Sequence, residues 1–333
     1  MEAQIGSGGA NQLFKSLGTF MRKCMFMVLS VGAIPYHIAF ILSGNRKLAQ
    51  IGSGDANQLF KSLGTFMRKC MFRVVSVGAI PNHIAFILNG NRRFAKKHNI
   101  PLEAGYRSAF LSLLYALKYC SELGVKYVSI YAFSIDNFRR SPDEVRCVMD
   151  LMLEKVEVLL QEESLVKQYG VRVCFLGKLQ LLNQPLRIAA EKAMKATANN
   201  TRIVIFICVA YTSTNEMIHA VQQSCIDKLD NHSQALKQTT THDNANEGVK
   251  ETTMVKLVDI DKHMYMNGAP NLDIMIRTAG ENRLSNFLLW QSTHCMLHAP
   301  AVLFPEIGLW HLVWAIISFQ RHHSYLEKKK KQI

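Results

Sequence analysis

Residues 83–98 read HIAFILNGNRRFAKKH. The first six positions form an unbroken apolar run between Pro81 and Gly90. A run that short, flanked by breakers, predicts a strand buried on both faces. The text then turns at Asn89-Gly90 and continues into a basic stretch, so the strand delivers glycine and arginines directly at its carboxyl end.

The same alternation continues downstream. Residues 105–123 predict a helix and VKYVSIYAF (125–133) a strand. SPDEV (141–145) opens a helix, with Ser141 as cap, Pro142 at the first position and Glu144 completing a capping box. VRVCFLG (171–177) predicts a strand, 183–198 a helix, RIVIFICVAY (202–211) a strand and 212–225 a helix. LDIMIRTAG (272–280) predicts the last strand, with a helix from LLWQ (288–291) onward. Short apolar strands alternating with helices give an α/β fold: a mostly parallel central sheet with helices on both faces. Residues 228–255 are polar and poor in aromatics, and predict a flexible insertion.

Upstream, residues 4–49 recur as 50–95, and only seven of the 46 positions differ, among them Ser43/Asn89 and Lys47/Arg93. A solenoid needs at least about three diverging units, so this is a tandem duplication. The second copy runs straight into the remainder of the fold. Residues 50–333 are therefore the expected domain, and 1–49 an appendage. Residues 24–42 carry no Lys, Arg, Asp or Glu and are long enough to span a membrane. Gly32, Pro35 and His37 interrupt them, which favours a helix end, a turn and a strand. The N-terminus lacks the basic and apolar regions of a secretory signal, so none is expected.

With 49% hydrophobic residues, the chain can build a large core. The formal charge of +14 suits anionic partners: a diphosphate, an anionic membrane or nucleic acid. The eight cysteines show no CxxC pair, and several lie in apolar runs, so buried free thiols are expected. The run Lys328–Lys331 reads as a solvated end.

In open α/β sheets, ligands bind beyond the carboxyl ends of strands. Three such ends carry polar clusters: Asn89-Gly90-Asn91-Arg92-Arg93, Ser134 to Arg140, and Arg277 to Ser285. Gly90 allows close backbone approach, and guanidinium forks match phosphate oxygens. Arg93, Arg140, Arg277 and Arg283 could converge on one or two diphosphates. A P-loop, a dinucleotide fingerprint and a nucleophile elbow are all missing from the sequence. His37, His83, His294, His311, His322 and His323 lack ligand spacing.

Four stretches, HIAFILNGNRRFAKKH (83–98), YAFSIDNFRRSPDEV (131–145), CVAYTSTNEMIHAV (208–221) and IRTAGENRLSNFLLWQ (276–291), together resemble the cis-prenyltransferases. The likeness is to the dehydrodolichyl diphosphate synthases and the rubber-type plant enzymes, and it covers about residues 56–327. It implies a hydrophobic tunnel between helices and sheet, lined by the helices at 56–75 and 110–117. It also implies condensation of an allylic diphosphate, such as farnesyl diphosphate, with successive isopentenyl diphosphates, Mg²⁺ neutralising the departing diphosphate. By matching position, Gly90, Asn91, Arg92, Arg93 and Tyr106 would serve the starter. Ser134, Asn137 and Arg140 would flank the reacting centre, with Ser134 and Asn137 catalytic. Arg277, Arg283 and Ser285 would bind isopentenyl diphosphate. The resemblance further implies a homodimer, or a heteromer with a Nogo-B-receptor-like subunit, in the cytoplasm at the face of the endoplasmic reticulum membrane.

The chain departs from the family's pattern at several places. Asn89 stands where the family has its catalytic, metal-binding aspartate, and a neutral amide is a poorer Mg²⁺ ligand. Tyr106 replaces a histidine, Phe304-Pro305 a Trp-Pro pair, and Met296 a later metal-binding glutamate. A second reading follows: a catalytically impaired paralogue or non-catalytic subunit that still binds diphosphates. A nucleic-acid binder has only net charge behind it and is not expected.

Overall fold

The computed structural model describes residues 65–66, 68–160, 169–238 and 254–331. Residues 1–49, the apolar run 24–42 and the first part of the 56–75 helix lie outside them, as do residues 239–253 of the expected insertion. The chain divides into two units, residues 1–78 and 79–333. In the first, residues 68–75 are helical, and the Ser76 hydroxyl donates to the Phe72 carbonyl at 2.6 Å, closing the last turn.

The second unit holds a six-stranded, all-parallel sheet. Its strands are β1 (His83–Ile87), β2 (Tyr127–Ser134), β3 (Val171–Leu176), β4 (Ile203–Tyr211), β5 (Ile274–Arg277) and β6 (Met296–His298), in the order β3-β4-β2-β1-β5-β6. Every residue of β1 is buried, as its unbroken apolar run requires. The helices are α1 (Asn91–Lys97), α2 (Leu102–Leu123), α3 (Pro142–Leu160), α4 (Gln184–Ala196), α5 (Ser213–Gln238), α6 (Leu257–His263) and α7 (Leu309–Lys330). Phe133, Val173, Phe175 and Val209 lie on one face, where they meet Val148, Met149 and Val156 of α3 and Leu186, Ala190 and Ala193 of α4. Register shifts between Tyr131 and Ser134 in the β2–β4 pairing break the alternation there and turn Phe133 away from Tyr131. Tyr131, Phe206, Cys208 and Tyr211 go to the other face and meet Met266, Phe287 and Leu288.

Three expectations are corrected. The helix foreseen from LLWQ onward is absent among the described residues: 288–294 are turns leading to β6, and the helix begins only at Leu309. The cause is backbone: Ser285, Asn286 and Leu288 have φ of 49°, 58° and 46°, which no right-handed helix accommodates. Secondly, α5 runs on through residues 228–238, which the polar composition had marked as insertion. Thirdly, Lys330 is no free end. Its ammonium lies 3.0 Å from the buried Asp273 carboxylate, which also accepts the Asn82 N–H at 2.7 Å and the His83 N–H at 3.1 Å.

Among the described residues no helix is long and apolar enough to cross a membrane. Cys120 and Cys208 are buried in the fold.

Candidate functional site

The sheet grows in one direction from β1 through β2 and in the other through β5, so β1 lies where the connections diverge. The register places Ile87 opposite both Tyr131 and Arg277, so β1 and β5 end at one height while β2 runs on beyond them to Ser134. This is the crevice in which open α/β sheets bind ligands.

At the end of β1, the backbone of Asn89 is fixed on both sides. Its N–H donates to Ile87 O at 2.9 Å and to the Thr278 hydroxyl at 3.3 Å. Its carbonyl accepts from Thr278 Oγ1 at 2.8 Å and from Phe304 N at 3.0 Å. Gly90 follows with φ 103°, and a Cβ there would lie 2.9 Å from Leu303 Cδ2. Only glycine fits this turn. Asn91 then opens α1, and its Oδ1 is buried without a protein partner, a polar atom left for something other than protein. A Cβ on Gly105 would lie 3.0 Å from that of Ala95, so Gly105 is what lets α1 and α2 pack closely.

The arginines do not form one cluster. They fall into two groups, each gathered by a carboxylate. In the first, Glu281 lies 3.5 Å from Arg93 and 3.0 Å from Arg283. Arg277 belongs to the same group: its Nη1 donates to the Arg283 carbonyl and to Ser285 Oγ, the latter at 2.6 Å. Arg277 is only 7% exposed, and its Nε is buried with no partner. Burial, then the neighbouring Arg283, pull its pKa below the usual guanidinium value. A cation so placed is stabilised by an incoming anion. In the second group, Glu144 accepts from Tyr106 OH and from Arg140 Nη1, each at 2.9 Å, and lies 3.7 Å from Arg92. Burial, helped by Glu144, pushes the Tyr106 phenol up to about 12. Glu144 therefore does not complete the capping box foreseen for it. Ser141 Oγ still accepts the Glu144 N–H at 3.4 Å, while the carboxylate turns to the arginines.

Ser134 and Asn137 cap each other. The Ser134 hydroxyl accepts from Asp136 N at 3.1 Å, and Asn137 Oδ1 accepts from Ser134 N at 3.1 Å, shaping the short turn Ile135–Arg139. Tyr131 joins the second and third strand ends: its hydroxyl lies 3.2 Å from Tyr211 O and 3.3 Å from Ser285 O, and its ring stacks on Phe287 with centroids 4.4 Å apart. Glu144, Glu281, Thr278 and Tyr131 are the participants that reading the sequence missed. Glu281 and Thr278 stood inside a quoted cluster, and only their arginine-heavy surroundings hid them.

The prenyltransferase family model described as undecaprenyl diphosphate synthase matches residues 87–326. The chain belongs to this family. Dehydrodolichyl diphosphate synthase 6 of Arabidopsis thaliana is 54% identical over 332 residues, covering 98% of this chain and 96% of that protein. The human dehydrodolichyl diphosphate synthase complex subunit DHDDS is 37% identical over 303 residues, covering 91% of this chain and 72% of that one. A solved structure of lavandulyl diphosphate synthase from Lavandula x intermedia, in complex with dimethylallyl diphosphate, has a TM-score of 0.58 at 24% identity, covering 72% of this chain and 95% of that one. That likeness is one of fold. All the strands named above except the first four residues of β1, and both arginine groups, fall within the span of the family match. Nothing in these comparisons favours the silent-paralogue reading.

The family chemistry raises the question of Mg²⁺. Among the described residues no group of three His, Cys, Asp or Glu side chains could hold a metal. Both carboxylates of the arginine groups are engaged by guanidiniums. What remains at the end of β1 is the neutral amides of Asn89 and Asn91. Mg²⁺ is normally held by one or two carboxylates together with substrate phosphates. The residues present do not fit a protein-held Mg²⁺.

Proposed function

We propose that this cis-prenyltransferase condenses isopentenyl diphosphate onto an allylic diphosphate of the farnesyl type and repeats the addition to make a long polyprenyl diphosphate of the dehydrodolichyl kind. One observation carries the reading: two arginine groups, each gathered around one carboxylate, stand next to each other through the neighbouring residues Arg92 and Arg93 at the start of α1, as two diphosphate substrates require. Gly90, Asn91 and Arg92 receive the starter's diphosphate, with Tyr106 and Arg140 beside them, while Arg93, tied to Glu281, stands between the two substrates. Arg277, Arg283 and Ser285 receive that of isopentenyl diphosphate. Ser134 and Asn137 lie between and shape the turn that faces the reacting carbons.

In each cycle the allylic carbon–oxygen bond breaks and inorganic pyrophosphate leaves with its electron pair. The alkene of isopentenyl diphosphate attacks the allylic carbon, and a proton is lost as the new cis double bond forms. The arginines act by stabilising charge that grows on the leaving oxygen, inside a site that is already organised before reaction. The growing chain needs an apolar channel, and the half-buried Phe110 and Leu114 of α2 suit its wall.

The named subunit status of the human relative supports a heteromeric assembly, and the greasy product supports work at the face of the endoplasmic reticulum membrane. The purified chain should incorporate labelled isopentenyl diphosphate into long products from farnesyl diphosphate, tested with and without a Nogo-B-receptor-like subunit. Failure in both arms would overturn the reading.

A further inference from the structure

The stretch Tyr211–Glu216 (YTSTNE) carries part of the family likeness, yet none of its residues belongs to either arginine group. Its contacts explain it. Residues 285–291 follow Arg283 in a conformation that a chain would not adopt alone, since Ser285, Asn286 and Leu288 all lie in the left-handed region. The first turn of α5 holds that segment from the side. The Ser213 N–H donates to Asn286 O at 2.8 Å, and Ser213 Oγ accepts the Leu289 N–H at 2.9 Å. Asn286 Oδ1 accepts from Thr214 N at 3.0 Å and from Thr214 Oγ1 at 3.1 Å, capping α5 from a distance of 72 residues in sequence. The buried Glu216 accepts from Gln291 Nε2 at 3.0 Å.

We infer that Asn286 is a positioning residue for isopentenyl diphosphate, acting through Ser285 and Arg277. Its side chain locks the loop to the start of α5, and the locked loop presents Ser285 Oγ and the Arg283 carbonyl to the Arg277 guanidinium. Once the loop relaxes, Arg277 loses both acceptors and its aim. The inference rests on the assignment of isopentenyl diphosphate to Arg277, Arg283 and Ser285 made above.

Asn286→Gly is the informative variant. Glycine keeps the left-handed backbone without strain and removes only the side-chain cap, at a position that is not buried, so the fold survives. In the full chain, the KM for isopentenyl diphosphate should rise about tenfold, as loss of alignment by a fraction of an ångström does elsewhere. The KM for farnesyl diphosphate should stay within about twofold, as expected for a site that shares no partner with the change. Thr214→Val, which keeps the N–H donor and loses the hydroxyl, should raise the same KM about threefold. The double variant should be no worse than Asn286→Gly alone, because both act on one contact. Equal rises in both KM values, an unchanged KM for isopentenyl diphosphate, or full additivity of the two changes would each overturn the inference. Calorimetry with inorganic pyrophosphate separates it from the functional reading. If the natural chain makes no long product, the functional reading falls. Pyrophosphate binding then decides the positioning role: about tenfold weaker binding in Asn286→Gly upholds it, and equal binding overturns it.

Discussion

Arg277 is buried, yet it keeps one guanidinium nitrogen without a partner and is pulled below its usual pKa by burial and by Arg283. Such a cation is costly to the free protein and is relieved by an anion, so its removal should show in binding more than in stability. Arg277→Ala should raise the KM for isopentenyl diphosphate on the order of 100-fold, and Arg277→Lys roughly tenfold, because an ammonium cannot reach Ser285 and a phosphate with one planar fork. Steady-state kinetics with farnesyl diphosphate held saturating would check this, and an unchanged KM would refute the assignment. Asn89 makes the complementary case. Its backbone is fixed by Thr278 and Phe304, so Asn89→Asp adds a carboxylate without moving the chain. The Mg²⁺ concentration for half-maximal incorporation should fall by roughly tenfold in that variant, and a metal titration of both proteins reads it directly. The arginines and Ser285 were legible in the sequence because each stands within a few residues of a buried apolar run. The partition into two groups was not, because Glu144 sits in a helix-start pattern that has its own sufficient local explanation, and only the fold turns its carboxylate toward Arg92 and Arg140.

Elements were legible where local preference and tertiary context agree. β1 combines an apolar run with breakers at both ends, and α2 buries Ala109, Leu113, Ala116 and Cys120 along one face. They failed where tertiary contacts override preference. Ser285, Asn286 and Leu288 carry no glycine to announce their left-handed backbone; it is maintained by the α5 start and by the Tyr131–Phe287 stack. The turn between β1 and α1 is the opposite case, since its glycine is visible and its necessity is geometric. Gly90→Ala would put a Cβ at φ 103° against Leu303 and should destabilise the protein by about 1–3 kcal/mol. Urea unfolding measures that. A loss below about 0.5 kcal/mol, the range of an unremarkable surface change, would mean that the turn reorganises at little expense.

At the scale of the molecule, the two ends of the sheet have different tasks. The carboxyl ends hold the arginines, while the amino end is tied by a buried polar knot. His83 Nδ1 donates to Pro270 O at 2.9 Å, so its Nε2 is left to accept from Ser129 Oγ at 2.7 Å. With Asp273 bound to the His83 N–H this has the composition of a hydrolytic triad, but it is buried and far along the strands from the site, and the carboxylate grips backbone and Lys330 rather than the ring. Burial lowers the His83 pKa from 6.5. The unfolded chain therefore takes up a proton below pH 6.5 that the folded one refuses, and stability falls as pH drops from there toward the depressed folded value. Thermal melts should show that slope in the natural chain and a shallower one in His83→Gln; equal slopes would mean that other groups set the acid limb. The N-terminal repeat is tested at the same scale. Residues 38–42 duplicate the text of 84–88, but β1 is hydrogen-bonded to β2 on one side and β5 on the other, so the sheet has one place for that sequence and residues 83–87 fill it. Among the described residues, nothing from β1 onward requires a second copy. Deleting residues 4–49 joins Met-Glu-Ala directly to Gln50 and leaves one complete copy ahead of the sheet. Incorporation of labelled isopentenyl diphosphate should be unchanged within about twofold, because the sheet and its strand ends are left whole, and size-exclusion chromatography should show less self-association, because one of two copies of an apolar run has been removed. Loss of incorporation on deletion would assign the first copy a part in the reaction that the sheet alone does not reveal.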